Sequence, residues 1–298
     1  MSIEELKLLQ KNARKPIIIG IICTLIVTIV IVCTTKLLQL IPFLIVFGII
    51  ISALSSSKPT KKFNMEFKQM FVLKSLKSVF DDLVYEPEKG LDESIIRNTQ
   101  MMYMGDRYSS NDNISGKYKN IDVVQADVHI EEKHESRDSD GHTSTTWVTI
   151  FRGRWMIFDF NKNFKANIQV SQKWFGNSKV SNWGNKLKYK KVMMEDEAFN
   201  KMFRTYAQNE HDAFYVLTPS LMEKIKQLTN SISGRILLCF IDNKLHVGVQ
   251  TGEDSFEHGI FSKIDENQIT EEISKDIKLI TQFIDDLDLD NDLFRRGV

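Results

Sequence analysis

The feature that most constrains this chain is an apolar run at residues 17–54, in which Lys36 is the single charged residue. Lys36 divides the run into two stretches, 17–34 and 37–54. As α-helices, each would be about 27 Å long, close to the ~30 Å hydrocarbon thickness of a bilayer. A Lys at the bilayer centre would cost about 2.5–3.5 kcal/mol, whereas at a junction it reaches the headgroups. The run therefore predicts a transmembrane hairpin of two helices at 17–54.

Apolar runs also occur in secretory signal peptides and in buried core hairpins. A signal peptide has one short apolar stretch and a small-residue cleavage site, but this run continues far beyond that length. Pro42 lies near the start of the second stretch, where the first helical turn has no intrahelical partner for its N–H groups. Pro42 thus fits a second membrane helix.

The charges that flank the run predict its orientation. Basic residues lie outside both ends: Lys7, Lys11, Arg14 and Lys15 before it, and Lys58, Lys61, Lys62 and Lys68 after it. Since Lys and Arg collect on the cytoplasmic side, we expect an integral membrane protein of two passes with both termini and the soluble domain in the cytoplasm. Three cysteines (Cys23, Cys33 and Cys239) make no disulfide framework, which agrees with a reducing compartment for the soluble part.

The sequence predicts four regions: a cytoplasmic flank at 1–16, the hairpin at 17–54, a linker with juxtamembrane amphipathic helices at 55–104, and a cytoplasmic domain at 105–298. In the linker, Pro59 predicts a hinge after the membrane. Apolar residues recur at helical spacing over 65–83, which predicts an amphipathic helix. Such a helix either lies on anionic lipid or pairs with a partner, or it packs on its own domain.

The soluble part begins with strand-like patterns. Residues 123–130 alternate in polarity, and 147–151 and 155–159 are predicted to pair through a turn at Arg152 and Gly153. The polar stretch 134–145 is predicted to be a long loop. Strand character returns at 168–170 and at 187–192. Lys186, Lys188 and Lys190 share one face of the latter, which is typical either of an edge strand or of a surface that touches lipid headgroups.

Helical patterns dominate the rest of the chain. A helix is predicted at 197–206, and Thr218 with Pro219 predicts the N-terminus of another. A hairpin at 235–250 with its turn at 242–244 follows, and then an amphipathic helix at 273–289. Strands and helices that mix without strict alternation predict the α+β class.

The sequence lacks the standard catalytic motifs. It contains no phosphate-binding loop, dinucleotide-binding glycine motif, H-E-x-x-H, G-x-S-x-G or C-x-x-C. Lys plus Arg and Asp plus Glu each total 39, so the basic excess typical of nucleic-acid binders is missing. We therefore predict that the chain is not an enzyme, needs no cofactor and binds no nucleic acid, and we assign no catalytic, cofactor-binding or metal-binding residue.

The alternative to a binding protein is an unrecognised hydrolase or metal-dependent enzyme that uses the Asp/His-rich loop at 129–142. Its candidate ligands are His129, Glu131, Glu132, His134, Asp138, Asp140 and His142. Imidazole and carboxylate suit zinc or manganese, but a loop tip lacks the rigid surroundings of a preformed site, so a solvated loop is the competing interpretation.

Other titratable residues carry weaker signals. The acidic tail comprises Asp285, Asp286, Asp288, Asp290 and Asp292. Counted from Asp286 it places Asn291 and Gly297 where a calcium loop needs Gly and Glu, so a helix fits better. His211, His246 and His258 are isolated, and we expect structural or surface roles for them.

Three strings carry a resemblance: IFRGRWMIFDFNKNFKANIQV at 150–170, FNKMFRTYAQNEHDAFYVLTPSLMEKI at 199–225 and FIDNKLHVGV at 240–249. They resemble the bacterial domain-of-unknown-function family 3137, in which a membrane hairpin precedes one soluble domain. The resemblance covers most of 101–289 and implies an architecture without a site to carry over. Family members commonly have Arg ahead of the Tyr before the LTPSLM block, where this chain has Phe214.

These observations favour a membrane-anchored cytoplasmic binding or scaffold domain. Its expected partners are the lipid bilayer and a protein or lipid headgroup that the domain engages. A further possibility is an accessory subunit of a transporter, because two helices enclose no pore without oligomerising.

Overall fold

The computed structural model describes residues 1–35, 38–137, 143–159, 167–173 and 189–290. The chain forms two compact units. The helical unit comprises Met1–Ser75 and Phe256–Ile273, and the sheet unit comprises Leu76–Ser255 and Ser274–Val298. The predicted α+β class is confirmed: helices apolar enough to cross a membrane precede an antiparallel sheet with helices.

Two long helices form most of the helical unit. Helix α1 spans Ile3–Thr35, a short 3-10 turn follows at Leu38–Leu40, and α2 spans Ile41–Phe67. A π-helical turn at Lys68–Val72 then leads into α3, Leu73–Lys77. By length and composition, both α1 and the helical stretch that contains α2 are able to span a bilayer.

Small residues let α1 and α2 approach closely. A Cβ atom added at Gly20 would lie 1.9 Å from Ser52 Oγ, and one added at Gly48 would lie 1.9 Å from Thr24 Oγ1. Thr24 Oγ1 donates to the Gly20 carbonyl and Ser52 Oγ to the Gly48 carbonyl, each at 2.7 Å, so both hydroxyls are satisfied within their own helix. Close backbone approach at small residues is typical of helix pairs in lipid. Lipid tails are as apolar as the side chains, so van der Waals packing between the helices stabilises the pair instead of the hydrophobic effect.

The helix pair continues past the apolar run. Leu6 and Ala13 of α1 and Phe63 and Phe67 of α2 are buried. The prediction of a hinge at Pro59 is wrong, because α2 runs through this residue without interruption. A proline removes only one hydrogen bond from a helix, and packing against a neighbouring helix compensates for that loss.

The amphipathic segment that follows the apolar run differs from its prediction at its end. Phe67, Phe71 and Val72 are buried, which fits packing on the protein itself rather than on lipid. The helix stops at Lys77, and residues Asp81–Glu86 form the first strand. The helix predicted at 65–83 is therefore wrong beyond Lys77.

The described part of the sheet unit contains nine strands in the order β1-β2-β3-β4-β9-β8-β5-β7-β6, and every neighbouring pair is antiparallel. The strands are β1 Asp81–Glu86, β2 Arg107–Tyr118, β3 Ile121–Arg137, β4 Thr143–Asp159, β5 Ile168–Gln172, β6 Lys190–Val192, β7 Phe203–Ala207, β8 Arg235–Ile241 and β9 Lys244–Gln250. The remaining helices are α4 Glu93–Thr99, α5 Glu197–Met202, α6 Glu210–Val216, α7 Pro219–Ser231 and α8 Glu266–Leu287.

Strand β4 replaces a predicted hairpin. The turn predicted at Arg152 and Gly153 is wrong, since Thr143–Asp159 forms one long strand. Gly153 has a φ of 152°, and a Cβ there would lie 2.1 Å from the Val249 carbonyl oxygen. The sheet therefore needs a glycine here because a neighbouring segment approaches its backbone closely, and not because the chain reverses.

Several predicted elements are confirmed. Thr218 caps α7 by accepting a hydrogen bond from the Leu221 N–H, with Pro219 at the first helical position. Strands β8 and β9 pair through a turn in which Asp242 and Asn243 both have positive φ.

The helix predicted at 197–206 is wrong after Met202, where β7 begins. The last helix begins at Glu266 rather than at 273.

The core of the sheet unit lies on both faces of the sheet. On one face, Ala126, Trp155 and Cys239 belong to a cluster that also includes Ile96 of α4. On the other, Phe158 of β4 stacks on Phe283 of α8 with ring centroids 6.0 Å apart. Burial on both faces explains why β4 and β8 contain continuous apolar runs rather than strict alternation.

Candidate functional site

Strands β3 and β4 extend beyond their neighbours in the sheet. The pairing of β2 with β3 ends at Arg107 and Glu131, and the pairing of β9 with β4 covers only residues 154–159 of β4. Among the described residues, 132–137 and 143–148 therefore form strand pairs only with each other. We call these two segments the ribbon.

The ribbon presents an aromatic side chain held in a fixed position. Trp147, opposite Lys133, is 36% exposed, and its neighbour Val148 is 44% exposed. The Arg107 guanidinium carbon lies 3.8 Å from the centroid of the Trp147 ring, and Arg107 Nη1 lies 3.1 Å from Glu131 Oε2. A cation stacked on Trp orders both side chains, and Trp and Arg are residue types enriched in protein interfaces.

The candidate metal ligands of the sequence separate into two pairs on and beside the ribbon. His134 Nε2 lies 2.8 Å from Glu132 Oε2, whereas His129 Nε2 lies 3.8 Å from Glu131 Oε1 and 3.3 Å from Thr149 Oγ1. Within the described residues no three His, Cys, Asp or Glu side chains form a possible metal site. The other predicted ligands, Asp138, Asp140 and His142, lie outside the described residues.

A second polar cluster is buried in the sheet unit. Asp127 of β3 accepts hydrogen bonds from the Ser255 N–H at 2.5 Å and from Ser255 Oγ at 2.7 Å. Burial raises the pKa of Asp127 to about 7, while the Arg154 guanidinium and the Ser255 hydrogen bonds oppose that rise. Arg154 Nη1 donates to the Asp276 carbonyl at 2.6 Å, and its Nη2 bonds to the Asp276 carboxylate. A buried carboxylate and guanidinium need such partners, because each is costly to desolvate.

Another buried carboxylate, Asp112, lies on β2. It has a φ of 55° within a bulge of that strand. Tyr85 Oη donates to Asp112 Oδ1 at 2.6 Å, and Asn111 Nδ2 donates to Oδ2 at 2.7 Å. The charge of Asp112 adds to the rise in the pKa of Asp127.

An open groove of about 580 Å³ lies beside this cluster. Arg154, Ser255, Asp276 and Gln282 are among the residues that line it. The Ser255 hydroxyl is bonded to a buried carboxylate, and Gln282 Nε2 donates to Ser231 Oγ at 2.7 Å. Arg154, Ser255 and Gln282 thus each form hydrogen bonds with other residues of the protein, which orders the wall of the groove.

The buried carboxylates of Asp112 and Asp127 were not predicted from the sequence. A signal was present, because Gln125 and Asp127 occupy inward positions in the alternating stretch 123–130, and both are buried. A polar residue at an inward position of a strand indicates a buried partner. That partner of Asp127 is Ser255, which lies 128 positions away in the chain and has no local pattern of its own.

The acidic tail and the isolated histidines have structural contacts. Asp285 pairs with Lys119 Nζ at 2.8 Å, and Asp288 forms an ion pair with Lys224. Asp285 and Asp288 thus form ion pairs at the C-terminal end of α8, whereas Asp292 lies outside the described residues. His211 is exposed, His246 is buried beside Trp155, and His258 stacks on Phe67.

Two lysines of the predicted Lys-lined strand lie outside the described residues. These are Lys186 and Lys188, while Lys190 is exposed on β6 at the end of the sheet order, as expected for an edge strand. Phe214 is exposed on α6.

Comparisons with known proteins find a family model that matches part of the chain. Residues 149–289 match the family model described as "Protein of unknown function (DUF3137)", which confirms the resemblance carried by the three sequence strings. A search of the curated proteins found no match. A crystal structure of the mycobacterial trehalose monomycolate transport factor A is similar over 76% of this chain and 94% of that chain, with 10% sequence identity and a TM-score of 0.39.

Proposed function

We propose that this DUF3137 protein is a two-pass membrane protein whose cytoplasmic domain binds a partner protein through the ribbon of β3 and β4. The observation that carries this proposal is the exposed Trp147, ordered by Arg107, on a ribbon that other strands of the described sheet leave uncovered. Binding, rather than catalysis, is the role that we assign to the domain.

The membrane part of the proposal is supported by α1 and α2. The two helices are long and apolar enough to span a bilayer, and their exposed residues include many large apolar side chains. In water such a surface would be unfavourable, at about 25 cal/mol for each Å² of apolar area. The basic residues that flank both ends of the hairpin favour cytoplasmic termini.

The partner part of the proposal is supported by the chemistry of the ribbon. Ordering a side chain on binding costs free energy, and the contact with Arg107 already restricts Trp147 before any partner arrives. Around the Trp, the charged Lys133, Glu135 and Arg137 are exposed. An ordered aromatic surrounded by polar and charged groups has the composition of a protein-binding surface.

Site-specific photo-crosslinking in native membranes tests the proposal. A photoreactive amino acid replaces Thr145, which is exposed and shares the Trp147 face of the ribbon, in the full-length chain, and we expect one reproducible protein adduct. Adding Trp147→Ala should reduce that adduct strongly, because truncating a central aromatic typically costs about 2 kcal/mol or more of binding free energy, roughly a 30-fold loss of affinity.

The matched control is Tyr215→Ala, which truncates another exposed aromatic of the sheet unit, on α6. It should leave the adduct unchanged. Either the absence of an adduct at position 145 or an equal yield with and without Trp147 would contradict binding through the ribbon.

A further inference from the structure

A tight turn in the helical unit presents an exposed aromatic ring. We call residues 256–263 the turn segment. The Ser262 N–H donates to the Gly259 carbonyl at 2.9 Å, which places Ile260 and Phe261 at the two corners of a turn. Phe261 is 60% exposed, whereas Phe256 at the start of the segment is buried.

Side chains of α1 hold this turn in place. Gln10 Nε2 donates to the Ser262 carbonyl at 2.8 Å, and Arg14 Nη2 donates to the same oxygen at 3.0 Å. Arg14 Nε also bonds to the Ile260 carbonyl. Three donors thus fix both carbonyls that flank the Phe261 backbone, so the exposed ring stands on an ordered turn.

Side chains at the end of α2 hold the beginning of the segment. Lys68 Nζ lies 2.6 Å from Glu257 Oε1, and the Lys68 side chain is only 7% exposed. The His258 ring stacks on Phe67 with centroids 5.0 Å apart and planes inclined by 13°. The turn segment is therefore attached to both long helices.

The turn lies at the level where the apolar run of α1 begins. Arg14 precedes residue 17 by three positions, a rise of about 4.5 Å along a helix. The Arg14 guanidinium carbon lies 5.9 Å from the centroid of the Phe261 ring. If α1 crosses a bilayer, this position corresponds to the headgroup region.

We propose that Phe261 inserts into the interfacial layer of the same bilayer that α1 and α2 cross, and that it anchors the turn segment to an anionic lipid surface. The inference rests on the proposed function, because it requires the two helices to span the membrane. An apolar ring beside cations is the composition of a membrane-surface contact. Lys15 and Lys263, both exposed, add positive charge that anionic headgroups attract.

Depth-dependent fluorescence quenching tests this contact. The full-length protein is reconstituted into vesicles of phosphatidylethanolamine and phosphatidylglycerol that contain a lipid with a nitroxide near its headgroup or, in a second series, a lipid with a nitroxide in its acyl chain, which is the one able to quench position 25. A genetically encoded fluorescent amino acid replaces Phe261, Leu8 or Leu25 in separate preparations. All three positions are exposed, so the substitutions should leave the packing intact.

Position 8 is the matched control, because it is an exposed apolar site on α1 that precedes the beginning of the apolar run by about 13.5 Å. We expect several-fold stronger quenching at 261 than at 8. If position 25 is quenched and 261 is quenched no more than 8, the anchor is refuted while the membrane hairpin stands. If position 25 is not quenched either, the proposed membrane insertion itself fails.

Discussion

At the scale of single residues, the buried pair of Trp155 and His246 links the core to pH. Trp155 Nε1 donates to His246 Nδ1 at 3.4 Å, so the imidazole serves as an acceptor and is neutral at that nitrogen. Burial lowers the pKa of His246 to about 4, and the charge of Lys244 contributes to the decrease. Folding therefore disfavours the protonated ring.

This shift predicts a loss of stability in acid. Between pH 6.5 and about 4 the unfolded chain binds a proton at His246 that the folded chain excludes, so the free energy of unfolding falls as the pH falls. One such proton contributes up to about 1.4 kcal/mol per pH unit. His246→Gln keeps a hydrogen-bond acceptor that does not titrate. It should reduce the dependence of the free energy of unfolding on pH by the contribution of about one proton, as measured by urea unfolding of the full-length protein in detergent.

The quantity to compare is the difference between wild type and variant in the pH dependence of the free energy of unfolding. The absolute slope also contains the contribution of Asp127, which has the opposite sign. Its raised pKa, about 7, means that the folded chain holds a proton that the unfolded chain has lost above pH 4, so the free energy of unfolding falls as the pH rises towards 7. The control His211→Gln changes an exposed ring and should leave the slope as it is. Equal slopes for wild type and His246→Gln would contradict a buried neutral imidazole.

At the scale of elements, the contact of α1 with α2 depends on two glycines. A Cβ at Gly48 would meet Thr24 Oγ1 at 1.9 Å and Cγ2 at 2.5 Å. Gly48→Val should therefore separate the helices or force Thr24 from its rotamer, at a cost of about 1–3 kcal/mol, as for other overpacked sites.

Thermal unfolding of the full-length protein in detergent measures this cost. The control is Ile50→Val, a change at a half-exposed position of the same helix. We expect a lower midpoint for Gly48→Val and an unchanged one for Ile50→Val. Equal midpoints would show that the two helices do not rely on contact at Gly48.

The elements that the sequence predicts well carry their signal locally. Thr218 and Pro219 mark the start of α7 because capping and the fixed φ of proline act within one turn. The apolar run marks α1 and α2 in the same way. Two residues gave wrong predictions because contacts with distant segments override their usual effects. Pro59 usually breaks a helix, but α1 packs on α2 and α2 continues through it. Gly153 usually allows a turn, but here it accommodates the approach of the Val249 carbonyl.

The candidate sites show the same limit. Residues 147–149 are predicted to lie on a strand, but the cation that orders Trp147 belongs to Arg107, forty positions earlier in the chain. The bond between Asp127 and Ser255 spans a still larger separation. Such contacts depend on the order of the strands in the sheet. No short-range pattern in a single sequence encodes that order.

At the scale of the whole molecule, the distribution of charge predicts which side of a membrane each end would occupy. Four basic residues precede the apolar run and four follow it, whereas the junction contains only Lys36. Retaining both flanks in the cytoplasm keeps these cations on the side of the negatively charged inner leaflet. The opposite orientation would require translocating both flanks together with the entire sheet unit.

Protease protection in cells tests this orientation. Epitope tags at both ends should resist added protease in intact spheroplasts and disappear after permeabilisation. A cysteine introduced at Gln39, which is exposed in the short 3-10 turn between the helices, should react with an impermeant maleimide from outside. The natural Cys23 and Cys33 lie within α1, where lipid should shield them, so the unmodified chain is the labelling control. Degradation of either tag in intact spheroplasts would contradict two passes with cytoplasmic ends, because an even number of crossings must leave both ends on one side.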